Sequence, residues 1–116
     1  MLLIYTAGMP SPAWRAMYGR LLESLPLTTP IYHWGDVDEG GFRIASTIAA
    51  VARGAGFSLQ PYGMSPDDVP LDMRVRASAR TLERIHHFAC AAGWPELGQA
   101  IREAEFVAEQ ETLERE

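Results

Sequence analysis

A chain of 116 residues can bury one sizeable core, so a single domain spanning 1–116 is expected. All ten basic residues are arginine, and the absence of lysine excludes a P-loop, a Schiff-base mechanism and a lysine-assisted aspartyl phosphatase from this sequence. A formal net charge of −5 argues against a freestanding nucleic-acid-binding module, because contacts to phosphate need a basic surface.

The first half of the chain, 1–62, alternates between short apolar runs and helical periodicity. Strands are expected at 2–6, 31–34 and 57–62, and helices at 11–25 and 42–52. The first helix can begin with Ser11 as its N-cap and Pro12 at the first helical position. The order β-α-β-α-β is typical of an α/β fold with a Rossmann-like parallel sheet covered by helices.

The second half, 63–116, is predicted to be a helical C-terminal part behind a linker rich in proline and aspartate. Helical periodicity begins at Arg74, and Gly93 is expected to close that helix. A shorter helix is expected to follow, and the acidic tail EAEFVAEQETLERE is predicted to be helical as well. Cys90 lies in the apolar helical pattern and is predicted to be a buried thiol.

No targeting or membrane segment is predicted. The N-terminal residues MLLIYTAG lack the basic region that precedes the apolar run of a signal peptide. No apolar run reaches the roughly 18 residues that a membrane-spanning helix needs. The sequence therefore predicts a soluble, cytoplasmic protein.

Two aspartates one residue apart follow the second predicted strand, in the stretch IYHWGDVDEGG. Functional groups of parallel α/β sheets gather at the carboxyl ends of the strands, and alternate residues of an extended chain point to the same side. Asp36 and Asp38 can therefore aim at one point, where carboxylate oxygens suit Mg²⁺ or Mn²⁺. Gly40 and Gly41 allow a tight turn that exposes backbone N–H groups at the start of the next helix.

An ordinary turn exposed to solvent is the alternative interpretation of this motif, because aspartate and glycine are also common turn residues. An EF-hand is disfavoured, since counting Asp36 as the first position puts Thr47 where a bidentate glutamate is needed. The motif alone leaves the metal site and the solvated turn open.

The longer stretch IYHWGDVDEGGFRIASTIAAVARGAGFSLQPYGMSPDDV resembles the C-terminal toprim-like domain of the Wadjet plasmid-defence nuclease subunit, which is related to the A subunit of type VI topoisomerase. LLIYTAGMPSPA is similar to the preceding strand and loop of that family, and FVAEQETLE to its terminal acidic helix. The resemblance implies a toprim fold that binds Mg²⁺ through an Asp-x-Asp pair and a glutamate, and that cleaves DNA. The matching pair is Asp36 and Asp38, which would be both catalytic residues and metal ligands.

The resemblance also implies a larger assembly, in which a winged-helix region grips DNA and SMC-like subunits of a defence complex are partners. In that family the glutamate lies on a strand before the equivalent of LLIYT, and this sequence begins at that strand. The first strand is therefore expected to be missing, and the 116 residues alone are expected to be inactive. A catalytically inactive module for assembly or homodimerisation, driven by an exposed sheet edge, is the alternative function.

Several arginines are weaker candidates for contacts with DNA. Arg43, just after the turn, is placed to meet a phosphate near the metal. Arg76, Arg80 and Arg84 recur every four residues and are expected to line one stripe of a helix, which would face a phosphate backbone. The alternative is a solvated face whose arginines pair with nearby acids.

Two glutamates and one histidine complete the candidates. Glu109 and Glu111 could approach the metal from the acidic tail, and a solvated acidic helix is the alternative interpretation. His33 lies on the strand before the aspartates and is expected to be packed in the core.

Overall fold

The central feature of the structure, a computed structural model that describes residues 2–5 and 8–108, is a three-stranded parallel sheet. Its strands are β1 (Leu2–Tyr5), β2 (Ile31–Trp34) and β3 (Leu59–Pro61), in the order β1-β2-β3. Ile31 lies opposite both Leu2 and Leu59, so β2 is the central strand. The parallel α/β sheet expected from the sequence is confirmed, and it is consistent with the toprim-like fold that the resemblance implies.

Two helices connect the three strands. In α1 (Pro12–Glu23) the Ser11 side chain accepts a hydrogen bond from the backbone N–H of Trp14 at 3.1 Å, as its predicted role as N-cap requires. The second helix, α2 (Glu39–Gly54), packs against α1, β3 and the next helix. Its buried positions recur at helical spacing and place it at the centre of the core: Gly41, Phe42, Ala45, Ile48, Ala49 and Ala52.

The C-terminal part is predominantly helical, as expected, and it also contains a small second sheet. Its elements are two 3-10 turns (Pro66–Asp68 and Leu71–Met73), β4 (Val75–Arg76), α3 (Ala79–Ala91), α4 (Pro95–Ala104) and β5 (Phe106–Val107). Strands β4 and β5 pair in antiparallel orientation. Helix α3 packs on both α2 and α4, which joins the C-terminal part to the core.

The predicted start of the third helix at Arg74 is wrong. Helix α3 begins at Ala79, where the Ser78 side chain accepts a hydrogen bond from the backbone N–H of Thr81 at 3.2 Å. Val75 and Arg76 lie before this cap and pair with β5 instead. The helix starts later than its local pattern predicts because Ser78 caps it and because Val75 and Arg76 pair with a strand some thirty residues away. Helical periodicity does not indicate a strand partner at that distance.

The predicted helical tail is also wrong beyond its first two residues, Glu103 and Ala104, in the part that the structure describes. Helix α4 ends at Ala104, and its C-cap Glu105 has a left-handed φ of 57°, after which the chain turns back as β5. Phe106 is 2 % exposed, and the guanidinium carbon of Arg74 lies 4.4 Å from the centre of its ring. Burial of this aromatic ring favours the strand over a solvated helix. Residues 109–116 lie outside the described part of the chain.

The prediction of a buried thiol is wrong as well, because Cys90 is exposed. The buried face of α3 runs through Leu82, Ile85 and Ala89. Cys90 follows Ala89 directly and so lies about 100° further around the helix. Its sulfur faces the ring of His86 at 3.8 Å.

In the described part of the chain, none of the helices has both the length and the apolar character that crossing a membrane requires.

Candidate functional site

The loop between β2 and α2 forms one wall of a pocket of about 170 Å³. It lies at the carboxyl end of the central strand, where ligand sites of open parallel sheets are found. Its lining residues are His33, Gly35, Asp36, Asp38, Gly40, Gly41 and Ile44. The structure thus brings together four predicted site residues, namely the two aspartates and the two glycines.

Asp38 has a structural role at this pocket as the N-cap of α2. One of its carboxylate oxygens, Oδ1, accepts a hydrogen bond of 2.6 Å from the backbone N–H of Gly41. A carboxylate at this position also interacts favourably with the positive end of the helix dipole. The cap fixes the Asp38 side chain beside the helix N-terminus, and it explains why α2 begins at Glu39, before the predicted residue 42.

Val37, between the two aspartates, is anchored to the C-terminal end of the described chain. Its backbone N–H donates to the Ala108 carbonyl at 2.8 Å, and its carbonyl accepts from the Ala108 N–H at 2.9 Å. The Val37 side chain is fully buried. Because side chains alternate along an extended chain, Asp36 and Asp38 project to the face opposite this buried one.

The two glycines at the start of α2 differ in the space around them. A Cβ on Gly41 would overlap the carbonyl oxygen of Asp36 and lie 3.1 Å from Oδ1 of Asp38. A Cβ on Gly40 would meet nothing closer than 3.7 Å. Close approach of the helix to the loop therefore requires glycine at position 41, whereas position 40 has room for a side chain.

His33 is the residue of this pocket that sequence reasoning missed. It is packed, as expected, with 1 % of its surface exposed, and its ring stacks against Trp94 with 6.4 Å between ring centres. Neither ring nitrogen has a hydrogen-bond partner among the described residues. Burial lowers the pKa of His33 from 6.5 to about 4, so the imidazole is neutral at pH 7.

A sequence signal for His33 existed, because it lies two residues before Gly35 on an extended chain. Side chains at these two positions share one face of the strand, and glycine contributes no atoms there. A Cβ on Gly35 would lie 2.7 Å from Nε2 of His33. Gly35 therefore packs directly against the Nε2 side of the imidazole, and both ring nitrogens are buried.

The predicted arginines lie apart from this pocket lining. Arg43 is exposed on α2, and Arg80 is exposed on α3. Arg84 pairs with Glu39, the first residue of α2, and so ties α3 to the helix beside the pocket. Arg76 lies on β4 rather than on a helix, and its guanidinium is 3.6 Å from Glu105.

The predicted single helical stripe of three arginines is therefore wrong, because only Arg80 and Arg84 share a helix. The pairing of Arg76 and Arg84 with glutamates is what the alternative interpretation, a solvated face, predicts. Glu109 and Glu111 lie outside the described residues. Within residues 2–5 and 8–108, no three histidine, cysteine or acidic side chains come together as a group that could hold a metal ion.

Comparison with known proteins identifies a family for nearly the whole chain. The sequence model of the family described as "Wadjet protein JetD, C-terminal" matches residues 1–115. The comparison with curated proteins found no match, and neither did the comparison with solved structures. The protein therefore belongs to the family of JetD C-terminal domains, and this membership implies a role in the Wadjet defence system.

Proposed function

We propose that this chain carries the Mg²⁺-binding carboxylates of a DNA-cleaving nuclease in the Wadjet defence system. Asp36 and Asp38 are the metal ligands and catalytic residues of this proposal. The observation that carries it is their shared position in one pocket at the carboxyl end of the central parallel strand, in a chain of the JetD C-terminal family. Ligands of open α/β sheets bind at that edge.

The residues around the pocket fit a magnesium ion, or Mn²⁺ in its place. Magnesium prefers oxygen ligands, keeps several of its water molecules, and is commonly bound by one or two carboxylates together with phosphates of the substrate. Asp36 and Asp38 supply two carboxylates at one pocket. The glutamate that the family resemblance implies as a further ligand has no counterpart grouped with them among the described residues.

When bound, Mg²⁺ would polarise a phosphodiester and make a bound water more acidic. The chain's own residues would hold the two carboxylates at fixed positions relative to each other. Val37, anchored to Ala108, fixes the backbone between them, and the Asp38 cap fixes one carboxylate at the start of α2. Convergence of two negative charges is costly without a cation, so the same geometry favours binding of one.

Substrate binding is proposed to use the first turn of α2. The N-terminus of a helix attracts anions through its unpaired N–H groups and its dipole. Gly40, which has open space beside it, would let a phosphate approach the backbone there, and Gly41, whose N–H donates to Asp38, would position that turn. Arg43, exposed on the same helix, would neutralise part of the phosphate charge. These three residues are the proposed substrate-binding set.

DNA is proposed to reach the pocket through a larger assembly that includes SMC-like subunits. The net charge of −5 gives this chain no overall attraction for a polyanion. Two of its candidate arginines, Arg76 and Arg84, are already paired with glutamates. The grip on DNA is therefore assigned to other parts of the assembly, and this chain to the metal chemistry.

The test is Mn²⁺ binding, measured by calorimetry on the purified chain, together with plasmid cleavage by the assembled Wadjet complex. Asp36→Asn and Asp38→Asn are expected to abolish both, because each removes a charged ligand. Asparagine is as good an N-cap as aspartate, so Asp38→Asn should keep α2 intact. Circular dichroism checks that both variants are folded.

Asp72→Asn is the matched control. Asp72 is exposed in the second 3-10 turn, so this variant makes the same change of charge away from the pocket. It should bind Mn²⁺ and cleave DNA like the unaltered protein. Unchanged binding and cleavage in both Asp36→Asn and Asp38→Asn would overturn the proposal.

A second function, an inactive module for assembly or homodimerisation, is favoured by one observation. In the described sheet, β1 pairs with β2 on one side only. An open strand edge presents backbone N–H and C=O groups to which a further strand can add. Sedimentation of the purified chain separates the two proposals, since a monomer that binds Mn²⁺ supports the nuclease and a dimer indifferent to metal supports the assembly module.

A further inference from the structure

Three cavities of the structure share Arg53, in the last turn of α2, as a lining residue, and their described linings contain no acidic residue. Their volumes are about 550, 610 and 200 Å³. The whole chain carries 15 acidic residues against ten arginines, so a surface of this extent without a carboxylate is a local exception. We call the residues that line these three cavities the Arg53 surface. A polyanion that approaches an acidic protein meets the least repulsion at such a surface.

Two arginines give the Arg53 surface its positive charge. Arg15 of α1 and Arg53 line the same cavity, to which α1, α2 and the last residue of α3 contribute. Within residues 2–5 and 8–108, neither guanidinium forms a salt bridge with a carboxylate. Arg53 donates through Nη2 to the Ala91 carbonyl at 3.4 Å, and its other side-chain N–H groups make no hydrogen bond in this part of the chain. Both charges are therefore available to an anion.

Neutral hydrogen-bond donors lie on the same surface. Ser58 and Gln60 line two of the three cavities together with Arg53. Both residues are exposed, and neither side chain has a hydrogen-bond partner among the residues that the structure describes. Arginine, serine and glutamine are among the side chains that bind phosphate oxygens in protein–DNA complexes. The chemistry of the surface therefore matches a phosphate backbone.

We propose that the Arg53 surface binds the phosphate backbone of duplex DNA beside the cleavage site, with Arg15 and Arg53 as its charged contacts. This inference rests on the proposed function and extends it to the path of the DNA. DNA is favoured over an acidic protein segment because it presents a negative charge at every nucleotide. Separate arginines can then each meet a phosphate, whatever the sequence of the DNA.

The position of this surface along α2 fits such a path. Ile44 lines the aspartate pocket, and the helix rises about 14 Å from position 44 to position 53. Since base pairs of duplex DNA are about 3.4 Å apart along the axis, this rise corresponds to about four base pairs. Two arginines do not outweigh a net charge of −5. The surface therefore aligns DNA that the assembly delivers, and its binding to DNA in the isolated chain is weak and confined to low salt.

The first test titrates the purified, ¹⁵N-labelled chain with a short DNA duplex at low salt and follows the spectra by nuclear magnetic resonance. EDTA is present, so metal at Asp36 and Asp38 does not contribute to binding. We expect the Nε–H resonances of Arg15 and Arg53 to shift with one common midpoint, and the affinity to fall as salt is added. No binding of the duplex, or binding that leaves both arginine resonances unmoved, would overturn the inference.

The second test measures the salt dependence of binding in charge variants. Arg15→Gln and Arg53→Gln should each lower the slope of log affinity against log salt by about 1, the value for one phosphate contact. The loss should be the same on duplexes of different sequence, because phosphates carry no sequence information. Arg20→Gln is the matched control, since Arg20 is exposed on α1 and lines none of the three cavities. Equal slopes in the three variants and the unaltered chain would contradict the proposed contacts.

A third test adds a negative charge to the surface. Ala50 is exposed on α2 and lines the cavity that contains Arg15 and Arg53. Ala50→Glu is expected to weaken DNA binding at least as much as Arg53→Gln, because its carboxylate repels phosphate. Ala13→Glu is the control, since Ala13 is exposed on α1 outside the three cavities. Equal effects of the two glutamates would show that only net charge matters, which contradicts a defined surface.

Two further measurements separate this inference from its competitors. Mn²⁺ calorimetry on Arg15→Gln and Arg53→Gln should give the affinity of the unaltered chain. A chain that binds Mn²⁺ but not the duplex would overturn the inference and leave the proposed function standing, whereas shifts at Arg53 without Mn²⁺ binding would support the DNA contact and overturn the proposed metal site. A poly-glutamate peptide should bind more weakly than the duplex. Tighter binding of the peptide would assign the surface to an acidic protein segment instead.

Discussion

The first turn of α2 lies so close to the preceding loop that a methyl group on Gly41 would overlap the backbone carbonyl of Asp36. The same methyl group would be 2.9 Å from the carbonyl carbon, and neither atom belongs to a side chain that can move away. Gly41→Ala is therefore expected to lower the free energy of unfolding by about 1–3 kcal/mol, the range of overpacked sites. Urea denaturation followed by circular dichroism measures the change.

Gly40→Ala is the matched control for this prediction. Its new methyl group would meet only Oδ1 of Asp38, at an ordinary 3.7 Å. Because alanine favours a helix over glycine by about 0.5–1 kcal/mol, the stability should be unchanged or slightly higher. Equal losses in the two variants would show that the loop and the helix do not approach each other as closely as described.

Because Asp38 is an N-cap, we expect substitutions at this position to affect protein stability and metal affinity differently. Asp38→Ala removes the acceptor of the Gly41 N–H and should lower the free energy of unfolding by about 1 kcal/mol. Asp38→Asn keeps an acceptor oxygen and should stay close to the unaltered chain in stability while losing Mn²⁺ affinity. The measurement is urea denaturation in the absence of metal, paired with calorimetry. An asparagine variant as unstable as the alanine variant would mean that charge, rather than the hydrogen bond, starts the helix.

Local patterns were sufficient to predict the part of the fold that carries the site. The apolar run 31–34 is the central strand β2 with the bounds expected, and the glycine-rich stretch behind it leads into α2, which begins at Glu39, three residues before the predicted 42. Both signals are local, since they depend on residues within one turn or one strand of each other. The shared pocket of Asp36 and Asp38 follows from them directly.

Pairings between distant segments could not be predicted in this way. Strand β5 and the bridge from Val37 to Ala108 depend on partners far along the chain, and the acidic composition around Phe106 favours a helix when it is considered alone. The place of His33 in the pocket was missed for a related reason. Its missing hydrogen bonds become visible only when the surrounding side chains are placed.

A buried hydroxyl in α1 predicts a stabilising substitution. Tyr18 is fully buried, its ring stacks on Trp14 with 5.0 Å between ring centres, and its hydroxyl has no hydrogen-bond partner among the described residues. The same burial raises the pKa of Tyr18 to about 12. Tyr18→Phe keeps the packing and removes the orphaned group, so the free energy of unfolding should rise by about 1 kcal/mol.

Thermal denaturation followed by circular dichroism measures this effect. Tyr62→Phe is the control, because Tyr62 is 50 % exposed and its hydroxyl can bond to water, so its removal should change the stability little. A clear loss of stability in Tyr18→Phe alone would mean that the Tyr18 hydroxyl has a partner outside residues 2–5 and 8–108.

The buried histidine predicts how stability depends on pH. The pKa of His33 is lowered from 6.5 to about 4 by burial, so below pH 6.5 the unfolded chain takes up a proton that the folded chain does not. Protonation then favours unfolding, and the contribution of His33 is fully present above pH 6.5 and is lost as the pH falls toward 4. Between pH 7 and pH 5 the expected loss from this group is about 2 kcal/mol.

Urea denaturation at pH 7, 6 and 5 isolates this contribution by comparison with His33→Gln. Carboxylates also become protonated as the pH falls, but both proteins contain the same carboxylates. The measured quantity is therefore the difference in pH dependence between the two proteins, from which the effect of the carboxylates cancels. The unaltered chain should lose about 2 kcal/mol more than His33→Gln over this range. His87→Gln is the control, since His87 is exposed and its removal should leave the pH dependence as it is. Parallel curves for the unaltered chain and His33→Gln would mean that the imidazole gains its proton in the folded state as readily as in the unfolded one, which full burial forbids.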